Sequence, residues 1–183
     1  VSVGAVEVRH VSVRDPEVRP LLEDLHHEYT SRYGPNQELS RYPDEQFAPA
    51  QGGAFLVLVE GGRTIAGGAF RRYDEETAEL KRIWTHPDHR RRGLGLAVVR
   101  ELEREAGRQG YRRIYLTTGP RQPEAAGLYL AGGYVPLYDL GADPETVGPH
   151  PFEKVLRDPP GRALQVCSAG RRPAGAAGSA ERS

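Results

Sequence analysis

The 183-residue chain sets 25 Lys and Arg against 25 Asp and Glu, giving a formal net charge of zero, with 38% apolar and 27% charged residues. That balance argues against nucleic-acid binding through overall attraction, and no run approaches the roughly 18 apolar residues of a membrane span. The expectation is a soluble, cytoplasmic protein: there is no secretory leader pattern, and Cys167, the only cysteine, has no partner for an internal disulfide.

The length suits one domain over residues 1–157. From 158 to 183 the composition shifts to Pro, Gly, Ala, Ser and Arg, which reads as a flexible or peripheral tail. Val3 to Val11 alternates as a strand. Asp15-Pro16 reads as an N-cap followed by proline, and Val18, Leu21, Leu22, Leu25 and Tyr29 make one helical face to about Tyr33. Gly34 to Gly53 is polar and carries three prolines, as expected of a loop beside a cleft. Ala54 to Val59, Thr64 to Tyr73 and Thr77 to Trp84 are strand patterns joined by short turns, which implies an antiparallel meander.

The period then changes. Leu94, Val98, Val99, Leu102 and Ala106 form a helical stripe that Gly110 ends, with Glu101/Arg104 and Glu105/Arg108 paired on the other face. Arg113 to Thr117 is a short strand, Pro123 to Ala131 a short helix, and Tyr134 to Tyr138 and Phe152 to Leu156 are strands. The fold class is therefore α/β, a mixed α+β arrangement with a mostly antiparallel central sheet flanked by helices.

Charge is uneven along this chain: residues 81–113 hold ten Lys or Arg against four Asp or Glu. The segment Arg90-Arg91-Arg92-Gly93-Leu94-Gly95 lies between a strand and a helix, where exposed amides and the helix dipole favour an anion. It is neither a Walker A loop nor the dinucleotide fingerprint, which would place glycine where Val98 stands. On the residues alone it is either an anion cradle or a structural bend with exposed arginines. Glu79, Lys81 and Ile83 should share one face of the preceding strand. A carboxylate such as Glu79 can take a proton from an amine and a phenol such as Tyr129 can give one to a leaving group. Each has a plainer reading, as a solvated strand residue or a packing anchor.

Glu79 through Gly95 and Gln122 through Tyr134 resemble the GNAT superfamily of N-acetyltransferases. Arg90 to Gly95 resembles its Q/R-x-x-G-x-G/A motif, and Gln122-Pro123-Glu124-Ala125-Ala126-Gly127-Leu128-Tyr129 with Gly132-Gly133-Tyr134 resembles its later acetyl-CoA-side motif. The resemblance implies acetyl-CoA in a V-shaped opening between two parallel strands. Backbone amides from about Arg91 through Arg92, Gly93, Leu94 and Gly95 to Leu96 would take the pyrophosphate, with Arg90, Arg91 and Arg92 tuning the potential. Ile83, Trp84 and Thr85 would hold the pantetheine and acetyl group, with Gln122 and Ala125 on the far side. Asn often stands in the family where this chain has Gln122. Acetyl would pass directly to a primary amine in a ternary complex, with Tyr129 as general acid and Glu79 as base, often through water. A noncatalytic acyl-CoA-binding regulatory module is the alternative.

The acceptor would be a small-molecule amine or a protein amino group, selected by the first helix, the 34–53 segment and the 140–151 loop, where Tyr29, Tyr33, Tyr42, Asp44 and Glu45 are candidate lining residues. No metal site is expected at His26-His27-Glu28, no covalent intermediate at Cys167, and no membrane or direct nucleic-acid partner. His86 and His89 read as peripheral turn residues. Monomer and homodimer both stay open.

Overall fold

A computed structural model describes residues 5–156. The start of the first strand at Val3, the tail from 158 and Cys167 lie outside the described residues. Seven strands form one sheet in the order β1-β2-β3-β4-β5-β7-β6: β1 Glu7–His10, β2 Ala54–Glu60, β3 Arg63–Arg72, β4 Thr77–Thr85, β5 Arg113–Thr118, β6 Val135–Pro136 and β7 His150–Val155. The helices are α1 Arg19–Tyr33, α2 Leu94–Arg108, α3 Pro123–Ala131 and α4 Pro144–Val147. Every strand pair is antiparallel except β4–β5.

The sheet has a core on each face. On one, Leu94, Val98, Val99, Leu102 and Ala106 of α2 pack over Leu56, Leu58, Leu80, Ile114 and Leu116. Val98, Val99 and Leu102 have no exposed surface, each burial worth roughly 1.5–3 kcal/mol. On the other, Val18, Leu21 and Leu25 meet Phe47, Phe55, Val57 and Trp84. Between these layers Gly68 lets α2 seat closely, since a β-carbon there would come within 2.6 Å of Ile83 and 3.0 Å of Val98.

Two local expectations hold only in part, for identifiable reasons. Asp15 does stand at the N-cap with Pro16 opening the first turn, but that turn is 3-10, Pro16–Val18; the Asp15 carboxylate accepts from the Ser12 amide and caps no helical amide, and α1 begins at Arg19. The strand expected over Tyr134 to Tyr138 is present but cut to Val135–Pro136. The Tyr134 amide donates to Tyr129 O at the end of α3, and Pro136 has no N–H, so β6 is two residues long. The 34–53 segment contains two 3-10 turns, Asp44–Phe47 and Pro49–Gln51, and α4 forms within the 140–151 loop.

A third correction bears on the site. Glu79, Lys81 and Ile83 do not share a face. Arg82 has φ 59°, and the β3–β4 register shifts between Gly67 and Ala69, so one extra residue bulges out of β4. Beyond the bulge the alternation inverts. Ile83 packs with the α2-side core, Trp84 joins the α1-side core, and the Trp84 indole N–H donates to Asp24 of α1 at 2.6 Å.

Candidate active site

β4 and β5 pair only over Thr77, Ala78 and Glu79 against Arg113, Ile114 and Tyr115. Past that point β5 pairs with β7 alone, so residues 80–85 of β4 have a free edge. The gap opens into a cleft of about 660 Å³, lined by Ile83, Trp84 and Thr85 on one side and by Gln122, Ala125, Leu128 and Tyr129 on the other. A larger groove, about 1050 Å³, lies beside Arg100, Glu103, Lys154 and Val155. It has size but none of the open amides described next, so volume alone does not mark the chemistry.

The rim of the cleft is the turn into α2. Arg91 and Gly93 have φ of 63° and 74°, a left-handed curl that faces successive amides toward a common side. Among the described residues, no backbone or side-chain acceptor meets the amides of residues 91–96. Six open donors at a helix start are what an anion requires. Gly93 is needed for its φ, because a β-carbon there would meet nothing within 4 Å. Gly95 is needed for packing: a β-carbon would lie 2.5 Å from Leu128 of α3.

The three arginines of the turn differ. Arg90 and Arg91 line the cleft, and Arg90 lies 3.8 Å from Glu28. The Arg92 side chain instead reaches Glu60 of β2 through contacts of 2.8 and 3.1 Å, which hold the Glu60 carboxyl below its ordinary value. Only its amide belongs to the rim. His86 and His89 flank the same turn on its outer side: His86 Nδ1 accepts from the Asp88 amide, and His89 contacts Arg92.

Tyr129 is 6% exposed, its ring set edge-on to Tyr134 at 5.6 Å and tilted against Phe152 at 5.8 Å. Burial pushes its pKa above the ordinary phenol value, so at neutral pH it holds its proton inside the cleft. Gln122 spends its side-chain oxygen on the Gly119 amide, bracing the loop between β5 and α3.

Glu79 stands apart, at the vertex where β4 and β5 part and on the α1 side of the sheet. It is 4% exposed, with Arg71 at 2.7 Å and Lys81 at 3.1 Å. The ring of Tyr42, from the 34–53 segment, covers both cations at 4.3 and 4.9 Å. Asp44 and Glu45 turn outward to Arg14, while Tyr33 accepts from the Arg121 amide. The charge facing the 34–53 segment here is thus cationic more than acidic.

The site residues drawn from the sequence left out Arg32 of α1 and did not separate Glu28 from its neighbours His26 and His27; Glu28 and Arg32 both line the cleft and ion-pair with each other at 3.0 Å. Arg32 also pairs with Glu124 of α3, bridging the cleft mouth. Their signal was present, because positions 28 and 32 continue the Leu21, Leu25 stripe with polar residues. His26 and His27 beside them are exposed. Among the described residues no cluster of His, Cys, Asp and Glu is arranged for a metal, and no helix is long and apolar enough to cross a membrane.

Comparison with known proteins bears on this geometry. The model of the Acetyltransferase (GNAT) family matches residues 21–134, from α1 to the end of the α3 motif. An uncharacterized N-acetyltransferase of Bacillus subtilis, YsnE, is 32% identical over 98 residues, covering 51% of this chain and 65% of its own length. The mycothiol acetyltransferase of Nocardiopsis dassonvillei is 30% identical over 93 residues, 51% of this chain and 27% of that protein. The matched stretch therefore spans less than two thirds of either relative. A GNAT family acetyltransferase from Elizabethkingia anophelis, solved with acetyl-CoA bound, shares the fold with a TM-score of 0.59 at 14% identity, over 82% of this chain and 98% of that one.

Proposed function

The chain belongs to the acetyltransferase (GNAT) family, and on that premise we propose that it is an acetyl-CoA-dependent N-acetyltransferase acting on a primary amine within a ternary complex. The observation that carries the reading is the row of open amides at residues 91–96, set on a cleft that also contains a buried, protonated Tyr129. These residues fit acetyl-CoA. The amides would receive the pyrophosphate, with Arg90 and Arg91 adding positive potential, and the free β4 edge at residues 83–85 would hold the pantetheine arm. Acetyl-CoA supplies the activated thioester.

The chain's own groups supply the rest. Glu79 takes a proton from the acceptor ammonium, directly or through water, so that a neutral amine attacks. An unpaired amide of the β4 edge stabilises the negative charge that develops on the carbonyl oxygen. As the N–C bond forms and the C–S bond breaks, Tyr129 gives its proton to the departing sulfur. A phenol carries its proton at neutral pH, and burial pushes the Tyr129 pKa further up.

Tyr129→Phe tests the assignment. The variant should keep its affinity for acetyl-CoA while kcat falls about 10²- to 10⁴-fold, the usual contribution of a positioned acid. An unchanged rate under conditions where chemistry limits turnover would remove Tyr129 from the mechanism.

A further inference from the structure

On the α1 side of the sheet, around the point where β4 and β5 part, buried positive charge exceeds buried negative charge. Arg71 and Lys81 have side chains 19% and 12% exposed, and Arg82 is 7% exposed. Against these three cations stands one buried carboxylate, Glu79. The other acids that face them, Glu38 and Asp44, have side chains 41% and 44% exposed and are solvated. Three polar atoms here are buried with no hydrogen-bond partner among the described residues: the donors Arg71 Nε and Arg82 Nη1 and the acceptor Glu79 Oε2. Arg82 Nη2 donates to Leu39 O, and its guanidinium lies 4.3 Å over the Phe47 ring, so the left-handed bulge holds this group in place without giving it a counter-ion in contact. Buried, unpaired guanidinium donors are costly, and an incoming anion removes that cost.

We infer that the acetyl acceptor is an amino acid with a free carboxylate, its amine at Glu79 and its carboxylate at Lys81 and Arg71, an inference that rests on the acetyltransferase reading. The positions suit such a zwitterion. Glu79 already sits within 3.1 Å of Lys81 and 2.7 Å of Arg71. A substrate carrying both charges a few bonds apart exchanges into this internal ion pair charge for charge, and its carboxylate also offers acceptor oxygens to the unpartnered donors. Tyr42 covers the two cations, and Tyr115 is the β5 neighbour of Glu79, giving the rest of the substrate an aromatic wall. Peptide and protein amino termini, whose α-carboxyl is an amide, lack the second charge and are disfavoured.

The test pairs acceptors that differ only in that charge. L-Phenylalanine should be acetylated with kcat/KM at least ~10-fold above L-phenylalaninamide, the scale of losing a hydrogen bond to a charged group. Lys81→Met should narrow that ratio by raising KM for the acid. Equal or better use of the amide, or a ratio unchanged in Lys81→Met, would overturn the inference. A readout independent of turnover is calorimetric titration of N-acetyl-L-phenylalanine and N-acetyl-L-phenylalaninamide into the protein with CoA present. Tighter binding of the acid supports the carboxylate subsite at Lys81 and Arg71, and acetylation of no amine would refute the acetyltransferase reading itself. Equal binding of the two overturns it.

Discussion

Replacing Gly93 by valine separates the cradle's backbone geometry from the charge around it. Gly93 has φ 74° and ψ 11°, a left-handed conformation that costs an L-residue roughly 1–2 kcal/mol and is worse for a β-branched one. No protein atom lies within 4 Å of the added β-carbon, so the folded-state cost is that of the backbone alone. For a chain of this size such a loss lowers Tm by roughly 2–8 °C, leaving a folded protein to assay. If valine relaxes the turn, the amides of residues 91–96 no longer converge. Losing one hydrogen bond to a charged phosphate, about 1.5–3 kcal/mol, weakens acetyl-CoA binding ~10- to 150-fold. Calorimetric titration of the folded variant with acetyl-CoA measures this. S-acetylpantetheine, which lacks the pyrophosphate, is the control and should bind as it does to the parent. Unchanged acetyl-CoA affinity, or an equal loss for both ligands, would refute the reasoning.

Other consequences follow from single residues. Leu102→Ala empties a fully buried site in the α2-side core and should cost about 3 kcal/mol in urea unfolding, whereas a loss below ~1 kcal/mol would mean that α2 packs less tightly than described. Tyr129 has its pKa raised by burial above the ordinary 10.0, so acetyl transfer should show no falling limb between pH 8 and 10. A limb there that depends on Tyr129 would contradict a protonated phenol. The same shift makes the Tyr129 contribution to stability complete below pH ~10 and lost as pH rises through the folded value. Alkaline unfolding should therefore be shallower in Tyr129→Phe, and identical profiles would count against its burial.

What the sequence disclosed and what it hid follow from how local each signal was. The α2 stripe from Leu94 to Ala106 and the short turn between β2 and β3 depend on neighbours within a few residues, and both could be read, whereas the left-handed φ of Gly93 was not among the expectations. The family resemblance implied a bulged connection somewhere in Glu79 to Pro87, but its place at Arg82 could not be read, because one extra residue in β4 is defined only by the register against Gly67 and Ala69 of β3. That single shift moves Ile83 to the α2 side and leaves Glu79 and Lys81 facing the 34–53 segment. Tyr134 reads as a strand residue by type, yet its amide closes α3, a bond invisible to alternation. Glu28 and Arg32 were in plain view on the helical stripe, but their reach to Arg90 and Glu124 needed the tertiary arrangement. Arg92 drew attention through its charge and proved to serve Glu60.

The most direct measurement is CoA release from acetyl-CoA in a screen of amines that includes free amino acids, with the product identified by mass. The account predicts release that depends on the acceptor, an acceptor heavier by one acetyl group, and a protein whose own mass does not change. Tight acetyl-CoA binding with no transfer to any amine in an adequate screen would contradict it, and would mark the chain as an acyl-CoA-binding module.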